Sequence, residues 1–546
     1  MRSSRLFAGG LAALWVAAAH GQAVPGSPTG LLIDQGRMAA TRQAPSSAPV
    51  APPATPDHVT SVAQGASNAG LIKGVRFDGV EAPAGVAAAA RPFLGRPAST
   101  ETLQALANAL SDAYGRSAIA LYTIGIPAQS FEGGILHVRI AEGYIEQAIV
   151  TGDIGKSSVK LVQQYAKVMA VERPLRKSSL QRYLSLIRDI PGLSVEAKLL
   201  RGDRPGGVRL VLILKQRTHD FALSFDNQTQ QQLSDGEFQA QGKLYGALRP
   251  GDETDVTLAT STNFKAFQYA NLTHSTPLGA DGTRATVSVA HLATRTRHSH
   301  IKGNADIASF GISHPLIRSY QRNLTVSASL DAVNSDNAVL GSLLARERTR
   351  AARAAAIFSD SGAKHVLSAS LIVSRGLDGL GADTATTLAD PRFIKINGTL
   401  SLSRSLGKHF VARLNGAGQW SDDALPAVER FLVGGANYGR AFPVATLAAD
   451  RGAAGSAEIA WRPALPKAFA NSELYLFGDK AGVRYVARGP IPAASYDLAS
   501  AGGGVRLAFR DKGELDLEAA RRIDSPYPGF DKDWQLNVAW RLALGH

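Results

Sequence analysis

The sequence predicts a mixed architecture, in which two small α/β modules are followed by a 16-stranded antiparallel transmembrane β-barrel. Three observations predict it. The chain opens with the pattern of an export signal. Helical and strand patterns then alternate over residues 72–216. From residue 217 onward the helical periodicity disappears, and short segments of alternating apolar and polar residues succeed one another, separated by turn residues.

The first 23 residues have the three parts of a secretory signal peptide. Residues 1–5 carry positive charge, residues 6–19 form an apolar stretch, and small residues come next at Gly21 and Ala23. A membrane anchor helix is the alternative, but the apolar stretch is too short to span a bilayer comfortably. We therefore expect residues 1–23 to be removed and the mature chain to leave the cytoplasm.

Residues 24–71 are rich in Pro, Ala, Ser and Thr, as in "APSSAPVAPPATP" at 44–56. A segment of this composition buries too little apolar surface to fold alone, so it predicts an extended linker. Within it, residues 29–43 place leucines and a methionine at roughly helical spacing. A short helix isolated from any core is expected there, with plain disorder as the alternative.

The next two segments, 72–143 and 144–216, each have a β-α-α-β-β outline of about seventy residues. In the first, Ser99 or Thr100 can cap an amphipathic helix. The predicted strands lie at 71–80, 118–127, 133–143, 144–152, 194–202 and 207–216, and the predicted helices at 99–116, 157–169 and 178–192.

Residues 217–546 predict the barrel. Sixteen alternating segments can be placed, an even number, as single-chain bacterial outer-membrane barrels require. Because every backbone N–H and C=O must be paired in hydrocarbon, strands that face lipid must close into a barrel. A soluble all-β sandwich is the alternative. The predicted strands are 219–228, 236–248, 252–262, 267–278, 283–296, 302–316, 322–337, 345–360, 363–377, 393–407, 409–421, 453–463, 471–486, 495–509, 513–524 and 534–544.

The last segment, "WQLNVAWRLAL" at 534–544, shows the alternation most clearly. Two tryptophans, three leucines and a valine share one face, and that face carries no polar residue. This composition suits a strand that faces lipid better than a strand of a soluble sandwich.

Composition excludes several classes of protein. The 59 basic and 45 acidic side chains give a net charge of +14, but the arginines are spread singly, so no nucleic-acid partner is expected. The absence of cysteine excludes disulfides, thiolate metal sites and cysteine nucleophiles. No H-E-x-x-H, G-x-x-x-x-G-K-[ST] or G-x-S-x-G pattern is present. We therefore expect no enzyme, no cofactor and no metal site.

One part of the barrel segment carries a resemblance to a known family. The run "ERFLVGG…GRAF…D.G", from residue 429 onward, is succeeded by the strand "SELYLFGDKAGV". Together they resemble the outer-membrane transporters of two-partner secretion, the haemolysin-activation and haemagglutinin-secretion (TpsB-type) family. The resemblance extends over the whole mature chain. It implies that segments 72–143 and 144–216 are POTRA domains and that 29–43 is a plug helix.

The resemblance also implies a site. In this family the long loop after the eleventh strand, here residues 422–452, folds back into the barrel. A tip motif usually written V-R-G-Y/F presents an arginine to an aspartate on the barrel wall. Here the tip is "YGRAF", so that Gly439 precedes Arg440 and Ala441 replaces the usual glycine. The implied tether joins Arg440 to Asp479, and an exposed loop with a solvated arginine is the alternative.

The same resemblance implies further site residues. The loop tip includes Gly434, Gly435, Tyr438, Gly439 and Phe442, where the glycines allow backbone conformations closed to other residues. Phe477 and Gly482 fit the family's pattern for the wall strand. Gln129 and Gly133 lie between the later strands of the first POTRA domain and are either turn-forming or in contact with the client.

The implied function is export of a large partner exoprotein, haemolysin-like or adhesin-like, from periplasm to cell surface by two-partner (type Vb) secretion. The POTRA domains would lie in the periplasm of a Gram-negative cell and capture the unfolded client. Other implied partners are outer-membrane lipids and the machinery that inserts barrels, although the chain ends in Gly545 and His546 instead of the usual aromatic residue. An outer-membrane assembly factor is the alternative, and a passive porin would leave 72–216 without a purpose.

Overall fold

The computed structural model describes residues 60–68, 70–130, 132–153, 156–230, 233–297, 301–339, 342–384, 389–489, 491–510, 512–527 and 533–544. The predicted signal peptide, the predicted plug helix, most of the predicted linker and the last two residues lie outside this part of the chain. The described residues form two compact units: residues 60–216 with Arg318–Tyr320, and the remaining residues from 217 onward. None of the described helices is both long and apolar enough to cross a membrane.

The first unit contains two small sheets with their helices. A four-stranded sheet has the order β1-β3-β4-β2, and a three-stranded sheet has the order β5-β7-β6. Its elements are β1 (Thr60–Val62), β2 (Gly74–Asp78), α1 (Ala84–Ala89), α2 (Thr100–Arg116), β3 (Tyr122–Ile126), β4 (Ile135–Glu142), β5 (Tyr144–Asp153), α3 (Lys156–Val171), α4 (Lys177–Arg188), β6 (Leu193–Arg201) and β7 (Gly207–Gln216).

Helix α2 shows how the sequence builds the first module. Ser99 caps it, since its hydroxyl accepts a hydrogen bond from the backbone N–H of Thr102 at 3.2 Å. Leu103, Leu106 and Leu110 lie on one face at helical spacing and are fully buried against the four-stranded sheet. Burial of this apolar face, which the spacing predicts, fixes the helix on the sheet.

One part of the predicted linker belongs to the sheet. Thr60–Val62 forms strand β1, which pairs in parallel with residues 124–126 of β3. The expectation of an extended linker up to residue 71 is wrong for this stretch. The surrounding Pro-, Ala- and Ser-rich composition masks a short strand whose stability comes from backbone hydrogen bonds to a partner distant in sequence.

The second unit is a closed antiparallel barrel, which confirms the predicted fold class. Sixteen strands of eight residues or more form its wall, and the last strand pairs with the first. They are β8 (His219–Asp226), β9 (Glu237–Tyr245), β10 (Glu253–Ser261), β11 (Phe267–Pro277), β12 (Arg284–Arg295), β13 (Ile301–Arg318), β14 (Arg322–Val339), β15 (Ser342–Ser361), β16 (His365–Gly376), β18 (Ile394–Leu406), β19 (Phe410–Trp420), β22 (Arg451–Trp461), β23 (Glu473–Tyr485), β24 (Ala494–Phe509), β25 (Gly513–Asp524) and β26 (Trp534–Ala543).

Three further strands are short and were not expected from the alternation. Strand β17 (Asp383–Thr384) pairs with residues 347 and 348 of β15. Strands β20 (Phe431–Val433) and β21 (Leu447–Ala449) pair with each other in a two-stranded sheet inside the segment that joins β19 to β22. Each of the sixteen predicted barrel strands overlaps one of the sixteen wall strands.

Alternation decides which face of each strand is apolar and exposed. In β26, Trp534 and Leu536 are 61% and 67% exposed, whereas Asn537 is buried at 8%. In β23, Leu474 and Leu476 are exposed, and the residues between and beside them are buried. A wide band of exposed leucine, phenylalanine and tryptophan is what a wall in contact with lipid requires, because the polar phase then faces inward.

Candidate functional site

The segment between β19 and β22 is buried inside the barrel unit. It contains the β20–β21 hairpin and a turn at Ala427–Glu429. Val433, Ala441 and Phe442 are almost completely buried, and they pack with inward-facing residues of the wall strands. A loop exposed to solvent would not bury these residues, so the geometry does not support the solvated alternative.

Arg440, at the loop tip, lies in a site built by three wall strands. Its Nη1 donates to Glu458 Oε2 of β22 at 3.2 Å and to Glu518 Oε2 of β25 at 2.9 Å. Its guanidinium carbon lies 4.2 Å from the ring centroid of Phe477 on β23, a cation–π distance. The residue is only 8% exposed, so its charge is compensated by two buried carboxylates and an aromatic face.

Asp479 contacts the loop tip through the backbone. Its Oδ1 accepts the N–H of Gly439 at 2.7 Å, and its Oδ2 accepts the N–H of Arg440 at 3.4 Å. The hydroxyl of Ser500 donates to the same Oδ2 at 2.6 Å. The expected guanidinium–carboxylate pair is therefore replaced by backbone hydrogen bonds. The physical reason is that Glu458 and Glu518 place two carboxylates within reach of the guanidinium, and Asp479 is occupied by N–H donors.

The carboxylates around Arg440 belong to a larger inward-facing charge network. Glu458 also accepts hydrogen bonds from Arg413 and Arg506, both at 2.7 Å. Arg506 lies 3.8 Å from the ring centroid of Tyr475, whose hydroxyl donates to Glu518 at 3.0 Å. Because each buried charge has partners of opposite sign, the network holds the wall side of the tip site in one arrangement.

Two glycines give the loop tip its shape. Gly434 and Gly439 have φ of +108° and +80°, a region that side chains rarely adopt. A Cβ on Gly434 would lie 2.3 Å from the carbonyl oxygen of Pro443, and one on Gly439 would lie 2.7 Å from a methyl carbon of Leu498. These positions therefore require glycine for both conformation and space.

The remaining tip and wall residues pack around this turn. Gly435 donates its N–H to the carbonyls of Gly439 and Phe442, at 3.1 and 3.2 Å. Tyr438 is half-buried against the apolar cluster that contains Phe442 and Phe477. A separate close approach occurs on the wall, where a Cβ on Gly482 would lie 2.5 Å from Asp497 Oδ1.

Two acidic residues that the sequence reasoning did not single out hold the base of the loop. Asp450 is completely buried; it accepts the backbone N–H of Leu425 and Val486, both at 2.9 Å, and it pairs with Arg488. Glu429, also completely buried, pairs with Arg353 and Lys395. Both acids stand in the run that carries the family resemblance, and an acid that ends a run of small apolar residues is the signal that could have marked Asp450.

In the first module, Gln129 is engaged with backbone. Its Oε1 accepts the N–H of His137 at 2.7 Å, and its Nε2 donates to the carbonyl of the same residue at 3.0 Å. Gly133 has φ of +68° in the turn before β4. These contacts favour the turn-forming interpretation over direct contact with a client.

The sequence comparisons point to one family. The model of the family described as haemolysin secretion/activation protein ShlB/FhaC/HecB matches residues 209–507, and that of the ShlB-type POTRA domain matches residues 71–143. The heme/hemopexin transporter protein HuxB of Haemophilus influenzae is 20% identical over 463 residues, which cover 81% of this chain and 80% of the relative.

Solved structures share the fold. CdiB from Escherichia coli matches with a TM-score of 0.73 at 18% identity, over 94% of this chain and 98% of that one. CdiB from Acinetobacter baumannii matches with a TM-score of 0.64 at 17% identity, with the same coverage of both chains. BamA from Haemophilus ducreyi, lacking POTRA domains 1–3, matches with a TM-score of 0.53 at 12% identity, over 86% of this chain and 99% of that one.

A closed antiparallel barrel with an internal loop, joined in one chain to a module of the POTRA type, defines an outer-membrane β-barrel protein of the class that carries POTRA domains. The ShlB/FhaC/HecB model matches more than half of the 546 residues, so the chain belongs to that family of haemolysin secretion/activation proteins. It is a two-partner secretion transporter that exports a partner protein, as the resemblance predicts. The BamA likeness shows the fold alone.

Proposed function

We propose that the chain exports one large exoprotein, haemolysin-like or adhesin-like, from the periplasm to the cell surface, and that the loop at residues 422–452 controls its passage. The observation that carries the proposal is the buried loop tip, in which Arg440 and Gly439 are held by Glu458, Glu518 and Asp479. A loop held at several points inside a barrel obstructs it, so export requires that these contacts be released and re-formed.

The two modules, 72–143 and 144–216, are proposed to lie in the periplasm and to capture the client in an extended form. Supporting this, β2 pairs only with β4, and β6 only with β7, among the described residues. A strand with a free edge can accept an extended peptide by backbone hydrogen bonding, without reading much of its sequence. Such binding suits a long client that has not folded.

Residues 1–23 would direct export, the residues between 24 and the start of β1 at Thr60 would supply a plug helix with its linker, and 217–546 would be inserted into the outer membrane by the cell's barrel-insertion machinery. The exposed leucines and tryptophans of the wall support contact with outer-membrane lipids. The chain would act as a conduit and catalyse no reaction.

A gene-deletion experiment separates export from the assembly-factor alternative. The cell-surface and culture-medium proteomes of the deletion strain are compared with those of a strain complemented by the full chain. Loss of one very large protein from surface and medium, with the inventory of outer-membrane barrels unchanged, is the expected result. A general fall in outer-membrane barrels, with no large protein lost, would instead identify an assembly factor.

A further inference from the structure

The barrel closes where its first strand, β8, meets its last, β26. At this junction the backbone ladder covers residues 222–226 against 539–543. On the other side of β26, the ladder with β25 covers residues 513–521 against 534–542. The first half of β26 therefore has a full partner on one side, and on the other side its partners must come from residues beyond the end of β8.

Where the backbone ladder between β8 and β26 ends, the side chain of Asn227 forms hydrogen bonds to the backbone of β26. The N–H of Asn227 donates to the carbonyl of Val538 at 3.1 Å, and the Asn227 Oδ1 accepts the N–H of Val538 at 2.8 Å. The Asn227 Nδ2 also donates to the carbonyl of Leu536 at 2.9 Å. These bonds continue the pairing of β26 from Ala539, where the ladder ends, as far as Leu536, because an amide side chain offers the same groups as a peptide.

The loop tip completes the junction on the inner face. The backbone carbonyl of Arg440 accepts hydrogen bonds from Gln228 Nε2 and from Asn537 Nδ2, both at 3.1 Å. Gln228 comes directly after Asn227 at the end of the first strand, and Asn537 lies in the last strand. One atom of the loop thus bridges the two strands that close the barrel.

The bridge is connected to the site of the arginine side chain. Asn537 Nδ2 also donates to Glu518 Oε1 at 3.0 Å, and the other oxygen of Glu518 accepts from Arg440 Nη1 at 2.9 Å. Arg440 therefore contacts Asn537 directly through its carbonyl and indirectly through Glu518. Since Asn537 is 8% exposed, water cannot readily replace the donors and acceptors that the tip supplies.

We propose that Gln228 and Asn537 are positioning residues that tie the loop tip to the junction between β8 and β26, so that the loop leaves its site only as that junction loosens. The tie rests on the proposed function only in assuming that the loop moves during export. Release of the tip would then both clear the interior and loosen the wall at the β8–β26 junction, where the backbone ladder has five residue pairs. On the outer face, the stacked rings of Phe225 and Trp540, with centroids 6.3 Å apart, would still hold the strands.

Hydrogen–deuterium exchange of the purified full-length chain tests the tie without any partner protein. Gln228→Met and Asn537→Leu keep side-chain size and remove the amide donors. Exchange in peptides of residues 219–228 and 534–544 should quicken by about fivefold for each hydrogen bond lost, the factor that a typical net hydrogen bond represents. Peptides of β10 and β11 should be unchanged, and resistance to unfolding in unheated detergent shows that each variant is folded.

A loop variant and a control decide between coupling and a local effect. Gly439→Ala, which displaces the tip, should quicken exchange at the same junction, and combining it with Asn537→Leu should add little. Asn271→Leu is the control, because Asn271 is a half-buried asparagine of β11 bonded to Thr273 and Ser288, outside the loop site. Unchanged junction exchange in Gly439→Ala, or full additivity with Asn537→Leu, would overturn the tie.

The same variants test the tie and the loop's part in export by two independent measurements. Secretion of the partner is measured in cells, and exchange is measured on the isolated chain. Quickened exchange with normal secretion would leave the tie standing and contradict the loop's part in export. Normal exchange with reduced secretion would contradict the tie and leave the loop's part in export standing.

Discussion

The carboxylate of Asp479, on wall strand β23, accepts a hydrogen bond from the backbone N–H of Gly439 at the loop tip, at 2.7 Å. A contact to backbone fixes the position of the chain itself, whatever side chain the tip carries. The side chain of Arg440 then adds a second attachment through Glu458 and Glu518. The tip is thus held by one carboxylate through its backbone and by two through its charge.

Removing either attachment should reduce secretion of the partner while the barrel still assembles. Arg440→Ala leaves Glu458 and Glu518 without one of their cations, and Asp479→Ala leaves two backbone N–H groups without an acceptor. Surface and medium levels of the partner should fall several-fold in both variants. Arg322→Ala, at an exposed ion pair with Asp360, is the control and should secrete normally. Full secretion by both site variants would remove the tethering role.

Gly439→Ala should shift the loop toward its released position. The added methyl group would lie too close to Leu498, and the alanine would have to adopt a φ of +80°. We expect higher mean conductance in planar-bilayer recordings of the purified chain. Gly407→Ala is the matched control for Gly439→Ala, because Gly407 has a similar φ of +76° but open space around its Cβ position. Equal conductance of the two variants would show that the tip glycine does not hold the loop in place.

Asp450→Ala should destabilise the base of the loop. It removes the carboxylate that pairs with the buried Arg488 and accepts two backbone N–H groups, and breaking a buried ion pair from one side costs about 3–5 kcal/mol. The temperature at which the barrel loses its compact, fast-migrating form in detergent should fall clearly. Asp422→Ala removes an exposed partner of Arg451 and should leave that temperature unchanged. If both variants lost the compact form at the same temperature, Asp450 would not be an anchor of the loop.

Gln129→Ala distinguishes a structural role from contact with the client. The substitution leaves the N–H and C=O of His137 without the partners that Gln129 provides, which costs about 1–3 kcal/mol if they are not replaced. Amide exchange in β4 should quicken, and secretion should fall in proportion to the lost stability. Gln104→Ala, on the exposed face of α2, is the control. Reduced secretion with unchanged exchange in β4 would favour contact with the client instead.

Most of the barrel could be predicted from alternation, because each wall strand faces apolar and polar surroundings in turn. Apolar and polar residues therefore alternate with a period of two in segments such as 534–544. The β20–β21 hairpin was not predicted because both strands are three residues long and largely buried, so their sequences are apolar throughout and show no alternation. Strand β1 escaped because it is short and lies in a segment whose composition is that of a linker.

The candidate site was predicted only in part. The glycines and Arg440 stand in one continuous run, so the tip could be placed from the sequence. The partners of the guanidinium, Glu458 and Glu518, lie on strands β22 and β25, and only strand register and barrel closure bring them together. The ties of Gln228 and Asn537 to the tip join residues at opposite ends of the barrel segment, and no local pattern predicts such contacts.

Reconstitution tests the central claim, that this chain alone conducts its partner across a membrane. Proteoliposomes that contain only the purified chain are offered the large exoprotein lost in the deletion strain, unfolded in urea and diluted at the side of the POTRA domains. We expect full-length exoprotein to be protected from added protease, and several-fold less to be protected with Arg440→Ala. Protection no greater than in liposomes without the chain would contradict the claim.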